Sequence, residues 1–170
     1  MTSALPPPGR WALGNRPRED AETLLQTARN SGLTTAWLGP EAGFLSNLSL
    51  RENLELFHDW QGRAEPFAAT LASALALLGN DDSSWLEERV SQQPPAVLQS
   101  ARLLRLLMLA PAVAVIEPAD AARLLALPSA AFDTALAHSR LLLRGPASAE
   151  WPLPPSDAML TNETQESSTP

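Results

Sequence analysis

The stretch from Pro94 to Asp120 constrains the fold of this chain more than any other segment. Between Ala96 and Ala110, apolar residues almost encircle a helix, a pattern that predicts a largely buried helix. They leave only a narrow polar stripe at i, i+3 spacing, formed by Gln99, Arg102 and Arg105. Pro111 ends the helix, because proline lacks the backbone N–H that would continue it. We therefore expect the other elements to pack on this helix.

The residues that follow Pro111 predict a buried strand. Ala112 to Ile116 is apolar at every position, which is typical of a strand covered on both faces in a parallel sheet. Glu117 and Pro118 close it, since a proline cannot extend a central ladder. A buried helix, a proline and an apolar strand in this order indicate an α/β fold.

This order resembles the second half of an ATP-binding cassette (ABC) transporter ATPase. In that family the helix after the signature sequence leads through a proline into the Walker B strand and an Asp-Glu-Pro. Upstream, Leu48 to Asn53 reads Leu-Ser-Leu-Arg-Glu-Asn and is similar to the Leu-Thr-Val-x-Glu-Asn that follows the family's Q-loop. Leu75 to Ser91 is similar to the helical segment that leads into Leu-Ser-Gly-Gly-Gln. The resemblance covers about half of the chain, from Trp37 to Asp120.

The resemblance implies roles for two residues. In one register Ser91 corresponds to the signature serine that contacts nucleotide, but glutamines stand where the family has glycines, at Gln92 and Gln93. Counting back from Pro111 instead puts the serine position on Pro94, and the motif is broken in either register. Glu117 corresponds to the catalytic glutamate that positions the attacking water, although Ile116 replaces the magnesium-binding aspartate before it. Without a bound phosphate, Glu117 would be at most a remnant of that site, and a solvated carboxylate at the end of a strand, next to Pro118, is the favoured interpretation.

Other landmarks of the nucleotide site are also replaced. Pro40 falls on the Q-loop glutamine, and Arg144 or Gly145 on the switch histidine. Gly9 to Arg16 has the glycine spacing of a phosphate loop without its lysine, and all 12 basic residues of the chain are arginines. The residues from Gly9 to Arg16 therefore favour an ordinary turn over a remnant phosphate loop. We expect no cofactor and no metal, with ATP and magnesium entering only if a partner ATPase supplies the site.

The predicted function is that of a non-catalytic ABC-ATPase-like subunit. In the family, the region after the Q-loop receives the coupling helices of the membrane subunits, so Phe44, Phe57 and Trp60 are predicted to bind a transporter permease or an intact ATPase. These aromatic residues would also suit a plain core, which is the favoured interpretation for Phe57. Two alternatives stay open: half of a composite ABC ATPase that contributes Ser91 or Glu117 to a partner's site, and an unrelated helical adaptor. The order of motifs is similar to bacterial lipid or organic-solvent systems of the MCE type.

Composition sets outer limits on these functions. The chain has 170 residues, a net charge of −7 and no cysteine, so a nucleic-acid binder and thiol chemistry are excluded as functional classes. No apolar run approaches the ~20 residues that span a bilayer. We expect a cytoplasmic protein that reaches the inner membrane only through its partners.

The sequence predicts a helix-rich α/β domain with a small, incomplete parallel sheet and a helical subdomain. Its strands are predicted at Leu33–Leu38, Ala112–Ile116 and Arg140–Leu143, without the phosphate-loop strand of the family. Capping boxes are predicted at Ser49 with Glu52 and at Ser84 with Glu87, and further helices at Asp120–Leu127 and Ser129–His138. The domain is expected to span residues 10–145, between a flexible N-terminus (1–9) and a disordered tail (146–170).

Overall fold

The computed structural model describes residues 5–14, 16–40, 43–79, 82–127 and 134–152. These residues form one four-stranded parallel sheet with the strand order β1-β4-β3-β2. Its strands are β1 (Gly9–Ala12), β2 (Thr35–Leu38), β3 (Val113–Ile116) and β4 (Arg140–Leu143). The helices are α1 (Arg18–Asn30), α2 (Leu50–Trp60), α3 (Phe67–Leu77), α4 (Pro95–Leu109) and α5 (Pro118–Leu125), with two short 3-10 helices at Ser84–Glu87 and Val90–Gln92. The predicted helix-rich α/β class is confirmed.

Strand β3 lies between two hydrophobic layers, one on each face of the sheet. Val113 and Val115 pack toward α1, together with Leu142 of β4. Ala114 and Ile116 point to the opposite face, where α2, α3, α4 and α5 form the larger core. All four residues of the strand are fully buried, which confirms the prediction of a strand covered on both faces.

Helix α4 supplies much of the larger core, as its sequence predicts. Residues 103–109 are all buried, and the helix ends at Leu109. Ala110 closes the helix in the left-handed conformation with φ of 38°, immediately before Pro111. A non-glycine residue in this conformation is uncommon, and here it turns the chain directly into β3.

The sheet contains one strand more than the sequence predicts. Gly9–Ala12 forms the edge strand β1, which pairs in parallel with β4 from Gly9 opposite Arg140 to Ala12 opposite Leu143. The prediction that this strand is missing is therefore wrong. A four-residue strand carries little periodicity of its own, and β1 is specified by its long-range partner β4.

One of the two predicted capping boxes is present. The Ser49 hydroxyl accepts the Glu52 amide at 3.1 Å, and the Glu52 carboxylate accepts the Ser49 amide at 2.7 Å. The box predicted at Ser84 with Glu87 is wrong, because Ser84–Glu87 is a single 3-10 turn without a side-chain cap. The Asp82 carboxylate accepts the Ser84 amide instead, and Glu87 pairs with Arg51.

The chain after Gly145 packs on the sheet as far as Pro152. Trp151 is only 2% exposed, and the Ala12 amide donates to the Pro152 carbonyl at 2.7 Å. The predicted boundary of the folded domain at 145 therefore differs from the structure by about seven residues. The predicted tail from 153 onward and the first half of the predicted helix Ser129–His138, residues 129–133, lie outside the described residues. In its second half, residues 134 and 135 are helical and 136–138 form a turn. At the N-terminus, Pro6 is buried and its carbonyl accepts the Arg140 guanidinium at 2.6 Å.

Candidate functional site

The carboxyl ends of three adjacent parallel strands bring Gly39, Glu117 and Arg144 together. The Glu117 amide donates to the Leu38 carbonyl at 2.8 Å, and the Arg144 amide donates to the Ile116 carbonyl at 2.9 Å. The ladder thus continues one residue beyond each strand and fixes the backbone of both charged residues. In α/β sheets this edge is where ligands ordinarily bind.

An ion pair occupies this edge. The Arg144 Nε lies 2.9 Å from Oε1 of Glu117 and 3.2 Å from Oε2, and the Glu117 side chain is only 14% exposed. Gly39 is required beneath it, because a Cβ at that position would lie 2.5 Å from Cγ of Glu117. The prediction that Glu117 is a solvated carboxylate is therefore wrong, because its side chain is largely buried and is neutralised and held in place by Arg144. The sequence analysis put Arg144 or Gly145 at the switch-histidine position and did not predict the contact between Arg144 and Glu117.

The connection between β1 and α1 is poorly suited to phosphate. Gly9–Ala12 is strand β1, so the spacing from Gly9 to Gly14 does not describe one loop, and the prediction of an ordinary turn is wrong for the first four residues of this segment. Helix α1 begins after Pro17 without a side-chain cap, and its first turn carries the exposed carboxylates of Glu19 and Asp20. Acidic side chains complement the positive end of a helix and repel the anion that could otherwise bind there.

Ser91 lies on the surface beside the segment that leads into α2. Its amide donates to the Ser46 carbonyl at 3.3 Å, while the Val90 amide donates to the Leu48 carbonyl at 3.0 Å. Among the residues that the structure describes, no hydrogen bond or ion pair links Ser91 to Glu117. The geometry therefore leaves the role predicted for Ser91 untested.

The three aromatic residues predicted to bind a partner form one cluster around Arg105. The Arg105 guanidinium lies 5.0 Å from the ring centre of Phe44 and 4.7 Å from that of Phe57. Phe57 in turn contacts Trp60, with ring centres 6.5 Å apart. Phe44 and Phe57 are half-buried, whereas Trp60 is 80% exposed. We call these four residues the aromatic surface.

Arg105 is the member of this surface that the sequence did not single out. It appeared only as one residue of the polar stripe on α4, yet it is 8% exposed and lies between two aromatic rings. Burial, together with a smaller effect of the nearby Arg102, lowers the pKa of Arg105 to about 10. A cation between two ring faces gains an electrostatic attraction that offsets part of this desolvation. Only the folded chain reveals this arrangement, because Phe44 and Arg105 are distant in sequence.

The remainder of the polar stripe fastens α4 to α5. Arg102 donates to the Asp120 carboxylate at 3.1 Å, and the Asp120 side chain is only 2% exposed. Gln99 reaches the carbonyl of Ala119 at 2.5 Å. These contacts hold the segment after Glu117 against the helical block.

Asn53 holds the loop that presents Phe44. Its side-chain oxygen accepts the Leu45 amide at 2.7 Å, and its amide donates to the carbonyls of Leu45 at 3.1 Å and Ser49 at 2.8 Å. Asn53 itself is 1% exposed. The asparagine of the Leu-Ser-Leu-Arg-Glu-Asn motif is thus a buried loop clamp, a role that the motif alone did not indicate.

A groove with a volume of about 800 Å³ opens beside the aromatic surface. It runs between strand β2 and the C-terminal end of α2, where Phe57, Trp60 and Arg105 line one side. Leu56, one turn before Trp60, is 49% exposed, and Leu45 is 52% exposed. Exposed large apolar side chains near one another are typical of an interaction surface.

Two further properties bear on possible ligands and membrane contacts. The described ranges contain no group of three or more His, Asp or Glu side chains that could hold a metal ion. None of the helices in the described part of the chain is long and apolar enough to span a bilayer.

Comparison with known proteins gives a likeness in fold. No family model and no curated protein matches the chain. Among solved structures, the post-hydrolysis dimer of the ATP-binding cassette MJ0796 with ADP and phosphate is similar at 12% identity, covering 69% of this chain and 54% of that chain with a TM-score of 0.46. The ADP conformation of MJ1267, an ATP-binding cassette of an ABC transporter, is similar at 14% identity, covering 70% and 52% with a TM-score of 0.44. The chain spans about half the length of these structures, and no residue role follows from the likeness.

Proposed function

We propose that this protein is a non-catalytic, ABC-ATPase-like subunit that docks on a transporter permease or on an intact partner ATPase through its aromatic surface. The observation that carries the proposal is the ion pair at the carboxyl edge of the sheet. There the Glu117 carboxylate, which would have to activate water, is bound by Arg144 at 2.9 Å.

Three features support the loss of catalysis. A general base must accept a proton from water, and both carboxylate oxygens of Glu117 are instead in contact with Nε of Arg144. Phosphoryl transfer also relies on a lysine near the phosphates, and the sequence contains none. Glu19 and Asp20 place negative charge at the start of α1, where a phosphate would bind.

The docking role rests on the construction of the aromatic surface. Trp60 exposes 80% of its surface at the end of α2, which costs free energy in water unless a partner covers it. The helix is fixed at its start by the Ser49 and Glu52 capping box, and its preceding loop is held by Asn53. Aromatic and arginine side chains on a rigid support are the usual anchors of protein interfaces.

A composite ATPase is the second candidate, and one observation favours it. Ser91 is exposed on the surface, so its hydroxyl is accessible to a nucleotide held by another subunit. The Glu117 contribution to such a site would require Arg144 to release the carboxylate. In either case the protein would work in the cytoplasm, peripheral to the inner membrane, and a lipid transport system of the MCE type is the context we propose.

Co-purification from the native cells tests the docking role. Trp60→Ala should reduce the recovery of a permease or ATPase several-fold, because truncating an interface anchor typically costs about 2 kcal/mol or more. Its thermal midpoint should stay near that of the parent, since the side chain is largely exposed. Leu125→Ala is the matched control, an apolar residue 36% exposed on α5. Equal recovery with Trp60→Ala and the parent, or no transporter component with either, would refute docking.

A further inference from the structure

Strand β2 presents an edge that no other strand in the described part of the chain covers. It is the last strand in the order β1-β4-β3-β2. The carbonyls of Thr34 and Leu38 accept amides of β3 and its continuation, from Val113 at 3.1 Å and Glu117 at 2.8 Å. Because backbone groups of a strand alternate in direction, those of Thr35 and Trp37 point away from β3. Two N–H and two C=O groups therefore face the outside of the sheet.

The groove beside the aromatic surface runs along this edge. Residues 34–37 all line it, although their side chains alternate between the two faces of the sheet. A groove lined by Thr34 and by the first three residues of β2 lies along the edge of that strand. Phe57 and Trp60 form the opposite side, so the groove has a backbone side and an aromatic side.

The charge of this groove differs from that of the whole chain. The net charge is −7, yet the described lining residues include Arg29 and Arg105 and no carboxylate. Arg29 is exposed and donates from Nε to the Thr35 hydroxyl at 2.7 Å, which places its guanidinium at the open edge. Arg18 lies over the ring of Trp37 at 5.0 Å, on the side of the strand covered by α1.

We propose that this groove binds an extended, acidic segment of the partner protein, which adds to the sheet as a strand beside β2. The inference rests on the docking role proposed above and specifies the chemistry of its partner. The segment would hydrogen-bond the outward groups of Thr35 and Trp37, place a carboxylate at Arg29, and bury an apolar side chain against Phe57 and Trp60.

An extended chain fits this groove better than a helix does. A helix satisfies its own backbone groups and could not pair with those of Thr35 and Trp37. A strand added in register would lie about 4.8 Å from β2 and pair with both residues. Alternation then directs every second side chain toward the same side of the added strand, so acidic and apolar residues should alternate in the ligand.

Fluorescence anisotropy with a labelled eight-residue peptide of alternating glutamate and valine tests the proposal on the full chain. We expect saturable binding at low ionic strength that weakens as salt is added. A peptide with lysine in place of glutamate, and one with N-methylated valines that cannot donate backbone hydrogen bonds, should each bind at least ~10-fold more weakly. If either peptide binds as tightly as the acidic one, the proposal is wrong.

Variants of the protein test whether the peptide binds in this groove. Arg29→Gln should weaken binding several-fold, whereas Arg89→Gln, an exposed arginine outside the groove, should not. Thr35→Pro removes the outward N–H without disturbing the ladder to β3 and should abolish binding. Thr35→Val also removes the hydroxyl that holds Arg29 but keeps the N–H, so it should weaken binding no more than Arg29→Gln does. Binding that survives Thr35→Pro would show that the peptide lies elsewhere and overturn the proposal.

Two outcomes separate this inference from the docking role itself. If Trp60→Ala loses the native partner but the acidic peptide does not bind, docking stands and strand addition fails. If Trp60→Ala retains the partner, the proposed function fails first, whatever the peptide does. Sedimentation of the parent as a dimer that Thr35→Pro dissociates would assign the edge to a second copy of this chain, and would likewise overturn the proposal.

Discussion

Arg144 binds Glu117 across the ends of two adjacent strands, with Nε 2.9 Å from one carboxylate oxygen and 3.2 Å from the other. Both residues are held by backbone hydrogen bonds that extend the sheet beyond β3 and β4. The pair therefore joins the strand ends at the edge where an α/β sheet normally receives its ligand. An arginine in this position contacts both carboxylate oxygens of Glu117.

This pair should contribute measurably to stability. Arg144→Ala leaves the carboxylate of Glu117 largely buried without its cation, and should lower the free energy of unfolding by about 1–3 kcal/mol. A double-mutant cycle with Glu117→Ala, followed by urea denaturation, should give a coupling near 1 kcal/mol. The exposed pair Arg18 with Glu22 is the matched control and should give about 0.3–0.5 kcal/mol. Equal couplings would contradict the structural role.

The elements that were predicted correctly are those whose own residues show a clear pattern of apolar residues and helix-ending prolines. Strand β3 and helix α4 have long apolar runs with a proline between them, and strand β4 was predicted with its observed bounds. Strand β1 was missed because its four residues gain their structure from pairing with β4, about 130 positions away. The second capping box is absent because the Ser84 amide donates to the Asp82 carboxylate and Glu87 pairs with Arg51.

Some residues of the candidate site could likewise be predicted from the sequence, and others could not. The aromatic residues from Phe44 to Trp60 are close in sequence, and they were singled out because this segment resembles the region after the Q-loop of the family. Arg105 and Arg144 were not assigned roles, because each acts on residues that come near only after folding. The docking role of the aromatic residues remains a prediction, which the co-purification experiment addresses.

Truncation should locate the end of the folded domain between Gly145 and Leu153. A chain that ends at Pro152 keeps the buried Trp151 and the hydrogen bond from Ala12, so its thermal midpoint should be close to that of the full chain. A chain that ends at Gly145 loses Trp151 from the core, and removal of a buried tryptophan costs about 3–5 kcal/mol. Differential scanning fluorimetry of the two truncations measures the difference. Equal midpoints would show that residues 146–152 contribute little.

The capping box should make stability depend on acid. Hydrogen bonds from the backbone and side chain of Ser49 hold the pKa of Glu52 below its ordinary value of 4.5. A carboxyl whose pKa is lowered on folding stabilises the folded state above its unfolded pKa, and this contribution is lost as the pH falls through the folded pKa. Glu52→Gln should therefore lower the thermal midpoint at pH 7 and have a smaller effect at pH 3. Glu55→Gln, on the exposed face of the same helix, is the control.

Nucleotide binding distinguishes the non-catalytic subunit from the composite ATPase. We expect isothermal titration calorimetry to show no micromolar binding of magnesium-ATP to the isolated protein, because the chain has no lysine and its Glu117 is paired with Arg144. Micromolar binding would refute this expectation.

The composite ATPase makes a different prediction once a partner is present. If the protein raises the turnover of a partner ATPase through its own residues, Glu117→Gln or Ser91→Ala should reduce the rate by tenfold or more, since removing one group that acts in a transition state commonly has an effect of ~10²-fold. Trp60→Ala should instead reduce the apparent affinity between the subunits and leave the rate at saturation unchanged. Full turnover with both Glu117→Gln and Ser91→Ala would assign the protein a purely docking role, because neither predicted site residue would then take part in the reaction.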